Sequence, residues 1–290
     1  MEAAGPVLEI VIVTAAGGRE LVRDCLSSLR AWPLARGPMS VHLVDNASGD
    51  GTAAMVASEF PEVHLREMGW NAGFCIGNNV VLRDATAPYV LLLNPDTEVR
   101  EGALDYMVDL MERRPDIGMS GCRLVLRDGS LDHAAKRSFP TPLGALAHFT
   151  GRASAYTAPE LDEHEAGEVD AVNGAFMLVR REAMLDVGLL DEAYWLYMED
   201  LDWCYRFHQK GWKVWYDGGA TIVHVKGGVS KVKRHRGLRS NVAFHRGMGR
   251  FYRKFQAGRK PLLDGAVYLG IGGKLVVSAT RSAIARRSIT

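Results

Sequence analysis

Tyr89–Leu93, YVLLL, is a continuous apolar run of the kind that fits a strand buried on both faces of an α/β sheet. It stops at Asn94-Pro95-Asp96-Thr97-Glu98. Pro95 cannot donate to a sheet ladder, so the strand is expected to end there and the chain to turn outward. Asp96 then lies at the carboxyl end of a central strand, where open α/β sheets bind their ligands. A carboxylate in that place holds a divalent cation through oxygen, and the cation bridges to a diphosphate. An acidic turn after a core strand accounts for the same residues.

The preceding chain supplies the neighbours that such a strand needs. Leu8–Thr14, LEIVIVT, is a β-branched run, and Val41–Asp45 and Val63–Arg66 are two further strand candidates. Between them lie a helix with Leu21, Cys25, Leu26 and Leu29 on one face and a short helix over Thr52–Ser58, capped by Ser48 or Asp50. Strand, helix, strand, helix, strand opens a parallel, nucleotide-binding half-domain. Gly69–Asn79 has three glycines, so its backbone can approach a ligand closely, and its helix runs to about Asp84. A helix over about 101–114, a hairpin over Cys122–Leu131 around Asp128-Gly129, and a mobile loop region over 134–168 follow. Val169–Arg180 reads as a strand interrupted at Asn173-Gly174, Asp200–Lys210 as a helix, and Trp212–Tyr216 and Thr221–Val225 as two short strands.

Charge divides the chain unevenly. Residues 226–290 hold 16 Lys and Arg against one acid, Asp264, while the rest is acidic, which points to an anionic partner for the tail. The 47% hydrophobic content supports a sizeable core. The four cysteines are widely separated and read as reduced, buried thiols of a cytosolic protein. The N-terminus lacks a signal-peptide pattern, and no apolar run reaches the length expected of a spanning helix. The tail has no nucleic-acid-binding module, so no nucleic acid is expected as partner.

Several residues carry chemistry by position. Asp45 ends a strand, where a carboxylate accepts a hydrogen bond from a base or ribose; an Asx turn explains it equally. Glu199-Asp200 begins a helix, and an ionised Asp there is suited to be a general base, though a helix cap needs the same residue. Trp195, Tyr197 and Trp203 form either a sugar-stacking platform or core. His224 at the end of a late strand ligates a metal with Asp96 or is a structural histidine.

Taken in order, Ile10–Thr14, Val44–Thr52, Asn71-Ala72-Gly73-Phe74 with Gly77-Asn78-Asn79, Leu93–Thr97, Asn173-Gly174-Ala175, Gly188–Glu192, Met198–Asp202 with Arg206, Gly211-Trp212 and His224 resemble the family 2 inverting glycosyltransferases of the GT-A fold. The resemblance covers about residues 8–255 and is closest to the rhamnosyltransferase-like branch. It implies a Rossmann-like mixed sheet flanked by helices. A catalytic domain would span 1–225, with the nucleotide-binding half over about 1–100 and the acceptor half over about 101–225, and a basic, amphipathic helical extension would occupy 226–290. It further implies nucleotide-sugar binding by Thr14, Asp45, Asn71, Gly73, Asn94 and Asp96, a metal site at Asp96 and His224 for Mg²⁺ or Mn²⁺, and catalysis by Asp200 with Glu199 beside it. The implied partners are a nucleoside-diphosphate sugar, foremost dTDP-L-rhamnose, and a glycan or polyprenyl-diphosphate-linked acceptor of cell-envelope polysaccharide synthesis. UDP-GlcNAc, UDP-Gal or UDP-Glc is the alternative donor, and an inactive sugar-nucleotide-binding homologue is a further reading. An enzyme of this kind is expected in the cytoplasm, peripheral on the inner face of the membrane, with 226–290 on an anionic leaflet. The chain departs from the family pattern where Ala15-Ala16-Gly17, not Tyr-Asn, follows Thr14, and where Asn94 stands for the first acid of the DxD-type motif.

Overall fold

All five side chains of the strand Tyr89–Leu93 are buried. The computed structural model describes residues 5–141, 161–225, 238–258 and 260–287. The expected first half is present as β1 (Leu8–Thr14), α1 (Arg19–Ala31), β2 (Met39–Asp45), α2 (Thr52–Glu59), β3 (His64–Glu67), α3 (Phe74–Leu82) and β4 (Tyr89–Leu93). The four strands are parallel and ordered β3-β2-β1-β4, with Ile12 opposite Leu93 and Thr14 opposite Asp45. Their carboxyl ends, Thr14, Asp45 and Asn94–Asp96, therefore open on one edge of the sheet. The buried stripe of α1 is Val22, Cys25, Leu26 and Leu29, a helical spacing that turns one face to the sheet.

The second half makes the sheet mixed. β5 (Thr97–Glu98), α4 (Ala103–Arg113) and β6 (Ile117–Val125) lead to the pair β7 (Lys136–Arg137) and β9 (Ala171–Val172), with β8 (Ala166–Glu168) between them in the chain. β10 (Phe176–Arg180) runs antiparallel to both β4 and β6, so its preceding segment, Asn173-Gly174-Ala175, arrives at the same edge as the ends of β1, β2 and β4. After α5 (Arg181–Val187) and α6 (Glu199–Gln209), β11 (Lys213–His224) lies parallel to β6 and antiparallel to β5 and β8. Its pairing of His224 with Thr97 sets His224 beside Asp96. The main core is an apolar cluster around β1, β4, β6 and β10, and a small second cluster joins Val125, Val223 and Val225.

Four expectations are corrected. The two late strands are one, because β11 passes a register shift between Asp217 and Thr221 over Gly218-Gly219 instead of breaking. The Cys122–Leu131 hairpin is reduced to a single bridge, Val125 to Leu131, and the strand there begins earlier, at Ile117, and takes β10 and β11 as neighbours. The segment 134–168 carries β7 and β8 at its ends, where an irregular loop was expected; residues 142–160 of it lie outside the described residues. All four cysteines are free and buried, in keeping with the sequence.

The fourth correction concerns the tail, of which 226–237 lie outside the described residues. α7 (Leu238–Phe255) packs on the body through Phe251, which is 1% exposed and stacks among Phe139, Tyr205 and Phe255. α8 (Pro261–Arg287) lies along α7: the Tyr252 hydroxyl donates to Asp264 at 2.6 Å, and the Asn241 amide to the Ser278 carbonyl at 3.4 Å. An amphipathic segment too broken to span was expected. Pro261–Thr280 is instead a 20-residue helical stretch apolar and long enough to cross a membrane by length and composition, and none of its hydrophobic window is buried. Its half-buried stripe includes Asp264, Lys274 and Ser278, while Leu262, Leu269, Val276 and Val277 are 93%, 79%, 65% and 53% exposed. Those four apolar side chains thus face outward, while Val267, Ile271 and Leu275 share the half-buried stripe.

Candidate active site

β4 ends where Pro95 requires it to, and the turn behind it is fixed from three sides. The Asn94 amide donates to the Ala175 carbonyl at 3.0 Å, the Thr97 hydroxyl donates to the Asn94 carbonyl at 2.7 Å, and the Val225 amide donates to the Asp96 carbonyl at 2.7 Å. Asp96 Oδ1 lies 3.4 Å from His224 Nε2. The other ring nitrogen of His224, Nδ1, is 2.8 Å from Asp132 Oδ2. Burial opposes charge on this imidazole, but hydrogen bonds to Asp132 and Asp96 outweigh it and raise its pKa to about 9. A histidine whose far nitrogen is fixed by a carboxylate presents the near one in a set orientation, as metal-binding histidines do.

Asp96 and His224 stand 3.4 Å apart as an ion pair, and no group of three or more His, Cys, Asp or Glu suited to a metal occurs among the described residues. One carboxylate oxygen and one imidazole nitrogen would hold a divalent cation such as Mn²⁺, which would supply positive charge there.

Asp200 reaches the same edge from the other side. It lies in the first turn of α6, where Met198, in a left-handed conformation, is the capping residue; Asp200 is therefore not the helix cap that the sequence allowed. Its Oδ2 accepts from Arg137 Nη2 at 2.5 Å and the Gly174 amide at 3.4 Å, and its Oδ1 accepts from the Leu201 amide at 2.8 Å. Gly174 thus touches Asp200, and its neighbour Ala175 binds Asn94, so the Asp200 and Asp96 clusters share one short segment. Glu199 differs from its neighbour: its Oε2 is buried without a hydrogen-bond partner. Burial, and after it the charge of Asp200, raises its pKa well above the usual carboxylate range, so Glu199 is neutral near pH 7.

The residues expected on the nucleotide side lie at the ends of β1 and β2 and in the loop before α3. Asp45 Oδ1 accepts from the Ser48 amide at 3.2 Å, the local turn that the sequence allowed, and the residue is 4% exposed at the strand end beside Thr14. Asn46 ties this strand end to the glycine-rich loop, donating to the Gly73 carbonyl at 3.0 Å. Asn71 Oδ1 accepts from the Gly73 amide at 3.1 Å. Gly73 has φ +86°, and a Cβ on it would stand 2.3 Å from the Trp195 carbonyl oxygen, so no other residue fits there. Asp50 closes the neighbouring loop by accepting from the Gly17 amide at 2.8 Å and the Thr52 hydroxyl at 2.5 Å. Burial works against its charge, and these hydrogen bonds prevail, taking its pKa down to about 2.

Trp203 is fully buried core, its ring N–H spent on the Gly188 carbonyl at 2.8 Å, which removes it from the stacking platform. Trp195 stays half-buried at the cleft. Two residues near these groups went unread in the sequence, Arg137 and Asp132, and neither carried a local signal; Asn46, inside the Val44–Thr52 stretch that carries the resemblance, was given no role there.

The model of glycosyl transferase family 2 matches residues 10–188. The N-acetylglucosaminyl-diphospho-decaprenol L-rhamnosyltransferase of Mycobacterium tuberculosis is 32% identical over 238 residues, covering 76% of each chain. The low-salt glycan biosynthesis hexosyltransferase Agl10 of Haloferax volcanii is 26% identical over 168 residues, 57% of this chain and 52% of that one. Among solved structures, a mannosyltransferase from Pyrobaculum calidifontis in complex with GDP-Man and Mn²⁺ superposes with a TM-score of 0.60 at 17% identity, over 99% of this chain and 76% of its own. GalNAc-T7 with UDP, GalNAc and Mn²⁺ gives 0.60 at 14% identity, over 76% of this chain and 44% of that one. By the family match and the mycobacterial relative together, the chain belongs to glycosyltransferase family 2 and is a glycosyltransferase of the GT-A fold.

Proposed function

We propose that the enzyme moves a sugar, in one inverting displacement, from a nucleoside-diphosphate sugar to a saccharide carried on polyprenyl diphosphate during cell-envelope polysaccharide synthesis. The observation that supports this reading is the joining of Asp200 to the Asp96 turn through Gly174-Ala175-Asn94, which brings Asp200 and the Asp96–His224 pair to one sheet edge. Asp200 Oδ1 accepts a single hydrogen bond from the described residues and keeps a lone pair for the acceptor hydroxyl, whose proton it removes as the oxygen attacks the anomeric carbon. Arg137 and the Leu201 amide orient the carboxylate. Asp45, Thr14, Asn71 and Gly73 form the nucleotide side, and Asn94 helps to seat the diphosphate. A divalent cation, Mg²⁺ or Mn²⁺, would be held by Asp96 and His224, and when bound it offsets charge on the leaving diphosphate. Mn²⁺ in the two solved relatives and the polyprenyl-diphosphate acceptor in the mycobacterial relative's name support both assignments.

L-Rhamnose from the dTDP sugar is the donor favoured by that relative. A screen with purified protein, Mn²⁺ and a polyprenyl-diphosphate GlcNAc acceptor is expected to release dTDP from dTDP-L-rhamnose. Release of UDP from UDP-GlcNAc, UDP-Gal or UDP-Glc in its place would move the assignment to that donor. Silence with every donor would overturn the catalytic reading.

The location proposed for the enzyme is the cytoplasmic face of the membrane, with a catalytic part over 1–225 and an extension over 226–290 that makes the contact. The outward apolar side chains of α8 enter the leaflet, and the basic stretch of 226–260 meets anionic headgroups at about 1 kcal/mol for each Lys or Arg near the surface. On vesicles with anionic lipid at low salt, the full chain is expected to float and a chain truncated after Lys260 to float far less. Equal flotation of the two, or none of either, would remove α8 from the membrane.

A further inference from the structure

An open cleft of about 1020 Å³ lies between the loop that carries Trp195 and α7; none of the residues assigned above to the donor lines it, although the Trp195 indole N–H donates to the Asn71 carbonyl at 3.4 Å. One wall is aromatic, made by Tyr194 and Trp195 with Tyr268 of α8. The other is cationic, made by Arg239, Arg246, Arg250 and Arg253 of α7. Their spacing of seven, four and three residues sets all four on one helix face. The Arg239 guanidinium lies 4.0 Å from the Trp195 ring centroid and that of Arg250 5.7 Å from the Tyr194 ring centroid, which turns both into the cleft.

The next cation of the helix behaves differently. Lys254 is neutralised by Asp191 at 2.8 Å and Asp202 at 2.7 Å, whereas none of the four arginines forms an ion pair with a carboxylate of the described residues. Like charges on one helix face oppose one another. A planar fork with five donors, repeated along a groove, is complementary to an anion of several oxygens and more than one charge, and phosphate groups have that chemistry.

The cleft also has a defined relation to the proposed base. The Trp195 carbonyl accepts from the Phe74 amide at 2.8 Å, and Trp195 leads through Tyr197 and Met198 into the helix of Asp200. Both linking residues have positive φ, +70° and +74°, a conformation that strains residues bearing a side chain. α7 secures this strained link: a Cβ on Gly247 would stand 2.9 Å from the Tyr197 carbonyl oxygen, and Phe244 meets the Tyr197 ring edge-on at 5.9 Å. The wall that carries the arginines is therefore the wall that holds the start of α6, while the donor diphosphate is assigned to Asp96 and His224. A second multivalent anion on this side belongs to the acceptor.

We propose that the cleft seats the diphosphate of a polyprenyl-diphosphate-linked acceptor, the arginines taking its oxygens while Tyr268 and the exposed apolar side chains of α8 lead the prenyl chain to the bilayer. The proposal rests on the transferase reading above and adds to it the site that recognises the lipid diphosphate. It accounts for both the outward apolar face of α8 and the cations on α7 with a single ligand.

The test is a set of binding titrations on the full chain in one Mn²⁺ buffer, with farnesyl diphosphate below its micellar concentration, inorganic pyrophosphate, farnesol and dTDP. Farnesyl diphosphate is expected to bind at least tenfold more tightly than pyrophosphate or farnesol, and to do so equally in saturating dTDP. Arg246→Glu with Arg253→Glu should weaken it at least tenfold while dTDP affinity stays within twofold; Arg246→Gln with Arg253→Gln gives the same reading if the charge reversal unfolds the chain. Displacement by dTDP, or unchanged affinity in both variants, would overturn the cleft. Pyrophosphate binding as tightly as farnesyl diphosphate, with the same arginine dependence, would make the site one for free phosphates and end the lipid assignment. Arginine-dependent farnesyl diphosphate binding in a chain that turns over no nucleotide sugar would count for the cleft and against the donor chemistry.

Discussion

Asp200→Asn is expected to lower sugar transfer by about 10³-fold or more while leaving donor affinity within twofold, since a positioned general base contributes about 10²–10⁴-fold. Asparagine keeps the shape of the side chain and an oxygen for the Leu201 amide, which Asp200 Oδ1 now receives at 2.8 Å. It cannot take a proton. Glu199→Gln is the informative companion, because burial and the adjacent charge keep Glu199 protonated near neutral pH and glutamine resembles a neutral glutamic acid. That variant should retain most of its turnover. The two adjacent acids are thus separated by environment: one has three hydrogen-bond donors, including Arg137 at 2.5 Å, and the other has a buried oxygen with none. Asp200→Asn also leaves the Arg137 guanidinium without its charge partner, so thermal unfolding must accompany the kinetics. Near-normal turnover in Asp200→Asn, or an equal loss in Glu199→Gln, would sink the assignment of the base.

The first four strands and the turn at Asp96 could be read from the sequence because their signals are local. β1 and β4 are runs of buried apolar residues, and Pro95 marks where the second one stops. Arg137 and Asp132 could not be read in this way. Arg137 lies in a two-residue strand, too short for any periodicity, and its partner Asp200 is 63 positions away. Asp132 meets His224 across 92 positions. Charge pairs at such separations exist only once the sheet has brought β6, β7 and β11 together. The tail was misjudged for a related reason. Composition gave the apolar content of Pro261–Thr280 and its interruptions, but which face Asp264, Lys274 and Ser278 occupy depends on α7. They share the half-buried stripe with Val267, Ile271 and Leu275, and Leu262, Leu269, Val276 and Val277 are left outside.

Asp96→Ala is expected to weaken nucleotide-sugar binding in Mn²⁺ by at least tenfold, on the order of the 10–100-fold seen when groups that support a metal site are removed. The response to Mn²⁺ should disappear with it, and His224→Ala should give a smaller loss. Proton and cation compete for His224 Nε2, which gives the site opposite pH slopes with and without metal. In the metal-free protein the imidazole rises from 6.5 to about 9 because Asp132 and Asp96 outweigh its burial. A folded-state value above the unfolded one means stability that is fully present below about pH 6.5 and lost as pH rises through about 9. Metal-free wild type should therefore lose unfolding stability across that window, and Asp132→Asn should flatten the loss. With Mn²⁺ present, donor affinity should rise across the same window, because the proton leaves the nitrogen that the cation needs. Thermal unfolding and donor titration from pH 6 to 9 measure both slopes. Donor binding that is normal in Asp96→Ala, together with transfer that survives excess chelator, would remove the metal from Asp96 and His224 and leave the pair as a structural ion bridge between β5 and β11.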